Sequence, residues 1–404
     1  MPMTFVLIRN DHRARALLAS TLTASVAAFA WSASSASAAP QRPVCPGPVA
    51  AGNVRCTAHV VTDRGGTPRA TSAPTGYGPA QLHGGYSLPL TASTPQTIAI
   101  VDAYDSPTIA SDLNAYSSHY GIPRCNSSNP CFEKVNQSGT AGPYPRKDSG
   151  WALEIALDVE TAHQICQNCK ILLIEANSNS FSDLAAAVNT AARLGATQIS
   201  NSYGGSEFSS ETTQTAFDHP GIAITASSGD GGYGTEFPAA ANTVVAVGGT
   251  TLRLTASNAY SSESVWSGAG SGCSSYVAAR SWQTSASNWS QTGCGTKRGV
   301  ADVAADADPN TGAAVYDTTK YQGRSGWFKV GGTSLSAPLI AGVYALAGDS
   351  STTNYPAAIP YASRSSLHDV TQGSNGSCGT IMCSAAAGYD GPTGVGTPNT
   401  PAGF

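Results

Sequence analysis

One serine and three acids in this sequence stand where their side chains could break a covalent bond. Ser334 lies in Gly331-Gly332-Thr333-Ser334-Leu335-Ser336-Ala337-Pro338, directly ahead of the apolar run Leu339 to Ala347. At a helix start a hydroxyl meets unpaired backbone N–H groups and the positive end of the helix dipole, which favour an oxyanion forming on a carbonyl attacked there. The paired glycines let a peptide backbone come close. Capping alone is the plainer role of a serine in this position, so a catalytic hydroxyl needs a base.

Glu154 and Asp158 offer one. They are four residues apart, and at about 100° per residue they share one stripe of a helix. Leu157 on one side, with Trp151 and Ile155 on the other, draws that stripe into the protein. Two buried carboxyls cannot both ionise cheaply. Either they share a proton or another polar group completes the network, and such a pair serves as a base in acid. Acids that merely offset the dipole of a helix start are the alternative. Asp230, in Ser228-Gly229-Asp230-Gly231, follows an apolar run, which makes it either an ordinary turn residue or a site acid at the end of a strand.

The elements that must position these groups follow from the apolar runs. Residues 97–101, 171–175, 198–202, 222–226 and 243–247 predict buried strands. Gly150 to Cys166 and Phe181 to Leu194 predict helices, the second capped by Ser180 or Ser182 and ended by Gly195. Strand and helix alternate, which predicts an α/β fold: a doubly wound, mostly parallel sheet with helices on both faces and its site at the carboxyl ends of the strands. The folded part is expected to begin near Tyr77 and to form a single domain over 77–404, without internal repeats.

Ahead of it, residues 39–76 are rich in Pro, Gly, Thr and Arg without hydrophobic periodicity and read as an extended leader or linker. Residues 1–38 read as a secretory signal: Arg9, Arg13 and Arg15 precede the apolar run Ala16 to Trp31, and Ala36-Ser37-Ala38 suits a signal peptidase. A formal net charge of −4, with 11% of residues charged, speaks against nucleic acid as a partner and against disorder. No later stretch approaches the roughly 20 apolar residues of a membrane span, so a secreted, soluble monomer is expected. Ten cysteines suit an exported protein and lie in neighbouring pairs: 45 with 56, 125 with 131, 166 with 169, 273 with 294, 378 with 383. Local disulfides are the simplest expectation, although sequence leaves the connectivity open. The Cys166-Gln-Asn-Cys169 spacing also suits a redox pair, but it follows a helix and precedes a strand, the reverse of such a motif.

Gly-Thr-Ser334 followed by Ala-Pro resembles the nucleophile motif of the subtilisin-like superfamily. The His-Gly-Thr helix start of that superfamily is missing, and the helix carrying Glu154 and Asp158 stands in its place. With Ser228-Gly229-Asp230-Gly231, the order and spacing resemble the sedolisin family, the serine-carboxyl peptidases. That resemblance covers nearly all of 77–404, beginning at Tyr77-Gly-Pro-Ala-Gln-Leu82 and including Ala301 to Pro309. It implies a subtilisin-like catalytic domain and a secreted endopeptidase acting on protein or peptide substrates. Glu154 would be general base and then acid, Asp158 would orient it, Ser334 would form the acyl-enzyme, and Asp230 would be the oxyanion-hole acid. Ser202-Tyr203-Gly204-Gly205 would wall the substrate cleft. An acidic optimum is expected, because a carboxylate of ordinary pKa about 4.3 still accepts a proton where a histidine, about 6.5, is already protonated.

His368-Asp369-Val370-Thr371 and Ala386-Ala387-Gly388-Tyr389-Asp390 likewise resemble the calcium site of that family. Asp369 and Asp390 would give side chains, and Val370, Ala386 and Gly388 main-chain oxygens, with Ala386 standing where glycine is more usual. Two rival functions stay open: a non-catalytic extracellular binding protein on the same scaffold, and a histidine-based subtilase using Asp102 and His163. His163 is about three turns into its helix, on the side away from Glu154. The long folded prosegment usual in the family has no counterpart in 39–76, which is too short for a domain near the floor of about 40 residues. Either folding proceeds without such help, or the leader wraps the body as an extended piece, or peptidase function has been lost.

Overall fold

The computed structural model describes residues 38–404 except Asp349, so the expected signal lies, but for Ala38, outside the described residues. Each of the five apolar runs forms a strand, with ends shifted by a few residues: Thr97–Ala103, Lys170–Ala176, Gln198–Asn201, Ala223–Ser227 and Val245–Leu254. They belong to one eight-stranded sheet. Across it run Tyr260–Val265, Val245–Leu254, Ala223–Ser227, Gln198–Asn201, Thr97–Ala103, Lys170–Ala176 and Phe132–Asn136, while Val303–Asp306 also pairs with Val245–Leu254. All its pairings are parallel except that of the edge strand Tyr260–Val265. Beyond its first residue Thr97–Ala103 is buried throughout, with side chains on both faces covered, which is why it reads as continuously apolar.

Three helices matter to the site: Ser149–Ile165, Phe181–Arg193 and Thr333–Ala347. Ser180 caps the second, accepting from the backbone N–H of Asp183. Asp148 caps the first, accepting from the backbone N–H groups of Gly150 (3.0 Å) and Trp151 (3.1 Å). That first helix is buried on every side from Trp151 to Ile165, so its acids lie in an interior element and not on one stripe of a surface helix. It packs on Thr333–Ala347 at Gly342, where an added Cβ would come within 2.5 Å of Ile165 Cγ2.

The folded unit begins at Ala39 and not near Tyr77. The segment read as a leader is extended but integrated. Gln41–Pro43 pairs antiparallel with His59–Val61, which in turn pairs with Arg324–Gly331. Arg55–Cys56 pairs with Tyr203–Ser206. Strands that complete the edges of other strands need only backbone N–H and C=O groups, so no periodicity betrays them. All five neighbouring cysteine pairs are disulfides, and Cys166–Cys169 joins the end of a helix to the start of a strand.

Candidate active site

The helix Thr333–Ala347 starts at Gly332, whose φ of +104° lies where a side chain would be strained. Space forbids a side chain there too: a Cβ would lie 2.3 Å from the Thr57 carbonyl oxygen and 2.6 Å from Asp230 Oδ2. Ser334, in the first turn, is wholly buried. Its hydroxyl donates to the Ser202 carbonyl at 3.2 Å and lies 3.0 Å from the Thr57 hydroxyl. Pro338, four residues on, has no N–H to offer the Ser334 carbonyl, which accepts instead from the Ser202 hydroxyl at 3.3 Å.

Glu154, Asp158 and Asp102 form a cluster without any exposure to solvent. Burial raises all three well above ordinary carboxyl values. For Glu154 the nearby Asp158 and Asp102 add to the effect, while the Ser334 hydroxyl opposes it; for Asp158 the Ser202 hydroxyl opposes it. None of the six oxygens makes a hydrogen bond of ordinary geometry. The Ser334 hydroxyl is therefore near enough to favour ionised Glu154, yet its proton is directed at the Ser202 carbonyl.

Asp230 follows the carboxyl end of the strand Ala223–Ser227. Its Oδ1 accepts from both the backbone N–H and the hydroxyl of Thr333 at 2.8 Å, and Oδ2 has no hydrogen-bond partner. Burial pushes its pKa up to about 8 against the two Thr333 bonds. Below that pH it carries a proton, and Oδ2 is the atom free to present it. His59 Nε2 lies 3.7 Å from Oδ2. Burial, then the Arg55 charge, lowers the imidazole to about 4, so near neutrality two uncharged groups face each other and no ion pair forms.

His163 and Asp102 do not form a triad. His163 Nε2 is bonded to the Pro123 carbonyl at 2.7 Å, and Asp102, near the end of its strand, makes no side-chain hydrogen bond and lies close to Asp158. Sequence reasoning missed Asp102 as a member of the acid cluster. It also missed Thr57 and His59, whose approach to Ser334 and Asp230 has no local signal. Tyr203–Ser206 is a short strand paired with Arg55–Cys56 on one side and Glu236–Phe237 on the other. Beyond it lies an apolar hollow of about 580 Å³ walled by Phe181, Phe208, Phe217 and Phe237, with Ala51 and Gly52 at its rim.

In the C-terminal loops, Asp369 Oδ2 accepts from the Gly388 N–H at 3.0 Å and Asp390 Oδ2 from the Ala386 N–H at 3.0 Å, so the two acids meet on one loop. Asn288 donates to the Ala387 and Tyr389 carbonyls. Among the described residues, the carbonyls of Val370, Ala386 and Gly388 accept no hydrogen bond.

A serine hydroxyl stands at a helix start beside a mostly parallel sheet, close to buried carboxyls. The chain belongs to the subtilase family, whose model matches residues 136–387, and stands within it on the sedolisin branch. It is 28% identical to sedolisin from Pseudomonas sp. over 80% of its own length, and 29% identical to kumamolisin from Bacillus sp. over 81%. It spans 60% and 63% of those relatives' lengths. The solved structure of Pseudomonas sedolisin, a serine-carboxyl proteinase bound to pseudo-iodotyrostatin, matches at a TM-score of 0.66 and 26% identity, over 81% of this chain and 96% of that one. Sphericase shares the fold at 18% identity and a TM-score of 0.51, over 82% of this chain and 99% of its own.

Proposed function

We propose that this chain is a secreted serine-type endopeptidase of the serine-carboxyl kind, most active in acid. Ser334 Oγ attacks the carbonyl carbon of a peptide bond as its proton passes to Glu154. The oxyanion is met by the Ser334 N–H and by the proton on Asp230 Oδ2. Glu154 then protonates the departing amine, and water, activated by Glu154, hydrolyses the acyl-enzyme. Asp158 and Asp102 keep a shared proton beside Glu154, so the cluster can take one more charge or release it without leaving two carboxylates side by side.

The observation that carries this reading is the nearness of the Ser334 hydroxyl to a buried carboxyl at a helix start, where the Ser334 backbone N–H already donates to a peptide carbonyl oxygen, that of Thr57, at 2.9 Å. The raised Glu154 value belongs to a covered hydroxyl; uncovering Ser334 admits water and brings the acid back toward its ordinary range. The test is hydrolysis of denatured casein or haemoglobin from about pH 2 to about pH 8. Wild type should peak in acid, Ser334→Ala should be inert, and Glu154→Gln should lose on the order of 10²–10⁴ in rate. Hydrolysis rising steadily to alkaline pH would refute the carboxyl base. A binding protein on this scaffold would hydrolyse nothing, and its ligand affinity would survive Ser334→Ala.

One structural calcium ion is part of the proposal. Two carboxylates and three uncommitted carbonyl oxygens, from Asp369, Asp390, Val370, Ala386 and Gly388, are the oxygen donors that a hard cation takes. Ala386 would donate only its carbonyl, so its methyl is no obstacle of principle. The ion would tie the 369–370 and 386–390 segments together and take no part in bond cleavage.

A further inference from the structure

We propose that residues 39–61 are an inhibitor built into the chain, presenting the Thr57–Ala58 bond to Ser334 and remaining in the cleft after that bond is cut. The inference rests on Ser334 being the nucleophile. Its support is the pose of the segment. The Thr57 carbonyl accepts from the Ser334 N–H at 2.9 Å, and the Thr57 N–H donates to the Ser202 carbonyl at 3.2 Å. Upstream, Arg55 and Cys56 pair antiparallel with Gly204 and Tyr203; downstream, His59 and Val60 pair with Gly331 and Val330. The segment thus adds a strand on each side of the nucleophile, as a bound peptide would. The Thr57 hydroxyl also bridges Ser334 Oγ (3.0 Å) and Ser227 Oγ (2.6 Å), holding the attacking oxygen in a hydrogen bond.

A second set of contacts explains why cutting would not release it. The disulfide Cys45–Cys56 ties the residue just before Thr57 to the start of the segment. Gln41–Pro43 pairs with His59–Val61, and the Val44 N–H donates to the Ala58 carbonyl at 2.8 Å, both beyond the bond. One small piece of chain therefore grips both new ends. In the forward step Ser334 Oγ bonds to the Thr57 carbonyl carbon, its proton passing through Glu154 to the Ala58 nitrogen as the C–N bond breaks. Water then replaces Ser334 on the acyl carbon and restores the serine proton. An Ala58 amine held in place can instead return to the ester and remake the bond.

Acid incubation of the full chain, read by mass spectrometry under denaturing conditions, should reveal a partial cut between Thr57 and Ala58 in wild type and none in Ser334→Ala. The two pieces should co-elute under native conditions. Hydrolysis of a short fluorogenic peptide should rise roughly tenfold or more in Cys45→Ser/Cys56→Ser, because opening that loop raises the entropy cost of the inhibitory pose. Thr57→Pro, which lacks the N–H bonded to Ser202 and the hydroxyl on Ser334, should raise it as well and serves if the double variant does not fold. Equal rates in wild type and variants, with no cut, would overturn the inhibitor while leaving the peptidase standing. A cut elsewhere in 39–61 would overturn the assigned bond. Silence from every form, with casein also untouched, would remove both proposals together.

Discussion

At the scale of single residues, protons are sorted by what each carboxyl can bond. Asp230 gives one oxygen to Thr333 and keeps the other unpaired, so it is set up as a donor while protonated. Glu154 has the Ser334 hydroxyl to stabilise its charge, and Asp102 has no hydrogen bond to stabilise its own. The predicted pH profile follows: activity rises as Glu154 ionises and falls as Asp230, at about 8, loses its proton. Asp230→Asn keeps a donor of similar shape but cannot follow that titration. Its alkaline limb should move to higher pH while kcat falls by about 10–10³, a change readable in kcat/KM from acid to alkaline pH. An unshifted alkaline limb would assign that limb to another group.

Among the elements, the helix Ser149–Ile165 bears the heaviest demand, because it carries two acids through the interior and must hold its pitch against Thr333–Ala347. Its cap, Asp148, accepts from the backbone N–H groups of Gly150 and Trp151 and makes no hydrogen bond to Glu154, Asp158 or Ser334. Asp148→Ala should cost about 1 kcal/mol of stability through two unsatisfied N–H groups, with kcat unchanged. Urea unfolding beside steady-state kinetics separates the two, and an equal loss in kcat would mean that fraying reaches Glu154. In the same way Gly332 and Pro338 shape the surroundings of Ser334 through the helix backbone, one leaving room for the Thr57 carbonyl and the other freeing the Ser334 carbonyl for Ser202.

For the whole molecule, the buried carboxyls act in concert. Burial raises Glu175, Glu211 and Asp230 to about 8 and Asp317 to about 6, and lifts Asp102, Glu154, Asp158, Glu160, Glu263 and Asp306 as well. A group whose folded pKa exceeds its unfolded value keeps a proton that the unfolded chain releases. The stability it gives is full below about pH 4 and is lost as pH rises through the folded value, up to about 8. His59, lowered to about 4, and His163, also lowered, act the other way below about 6.5. The acids outnumber them, so the melting temperature should climb from pH 8 toward pH 5; a maximum at pH 8 would contradict the burial of these groups. At one fixed pH, EDTA should lower the melting temperature and added calcium restore it, by the mass action of an ion that binds only the folded loops. No shift with EDTA would remove the ion from Asp369 and Asp390.

Much of this was legible in the residue string. Apolar runs gave the strands, the Gly-Thr-Ser334 string gave a helix start with a hydroxyl, and the four-residue step from Glu154 to Asp158 gave a shared face, because each depends on neighbours within a few positions. What the sequence could not supply were the approaches of residues far apart along it. Asp102 joins Glu154 and Asp158 only because a strand end meets a helix across the sheet. Thr57 and His59 reach Ser334 and Asp230 only because backbone pairing, blind to side-chain identity, seats residues 55–61 on strands from the body. Sequence by itself determined which groups are available for chemistry; tertiary structure decided which of them are dry, which stand together, and which distant segment pairs beside Ser334, since burial and long-range pairing are properties of the packed chain.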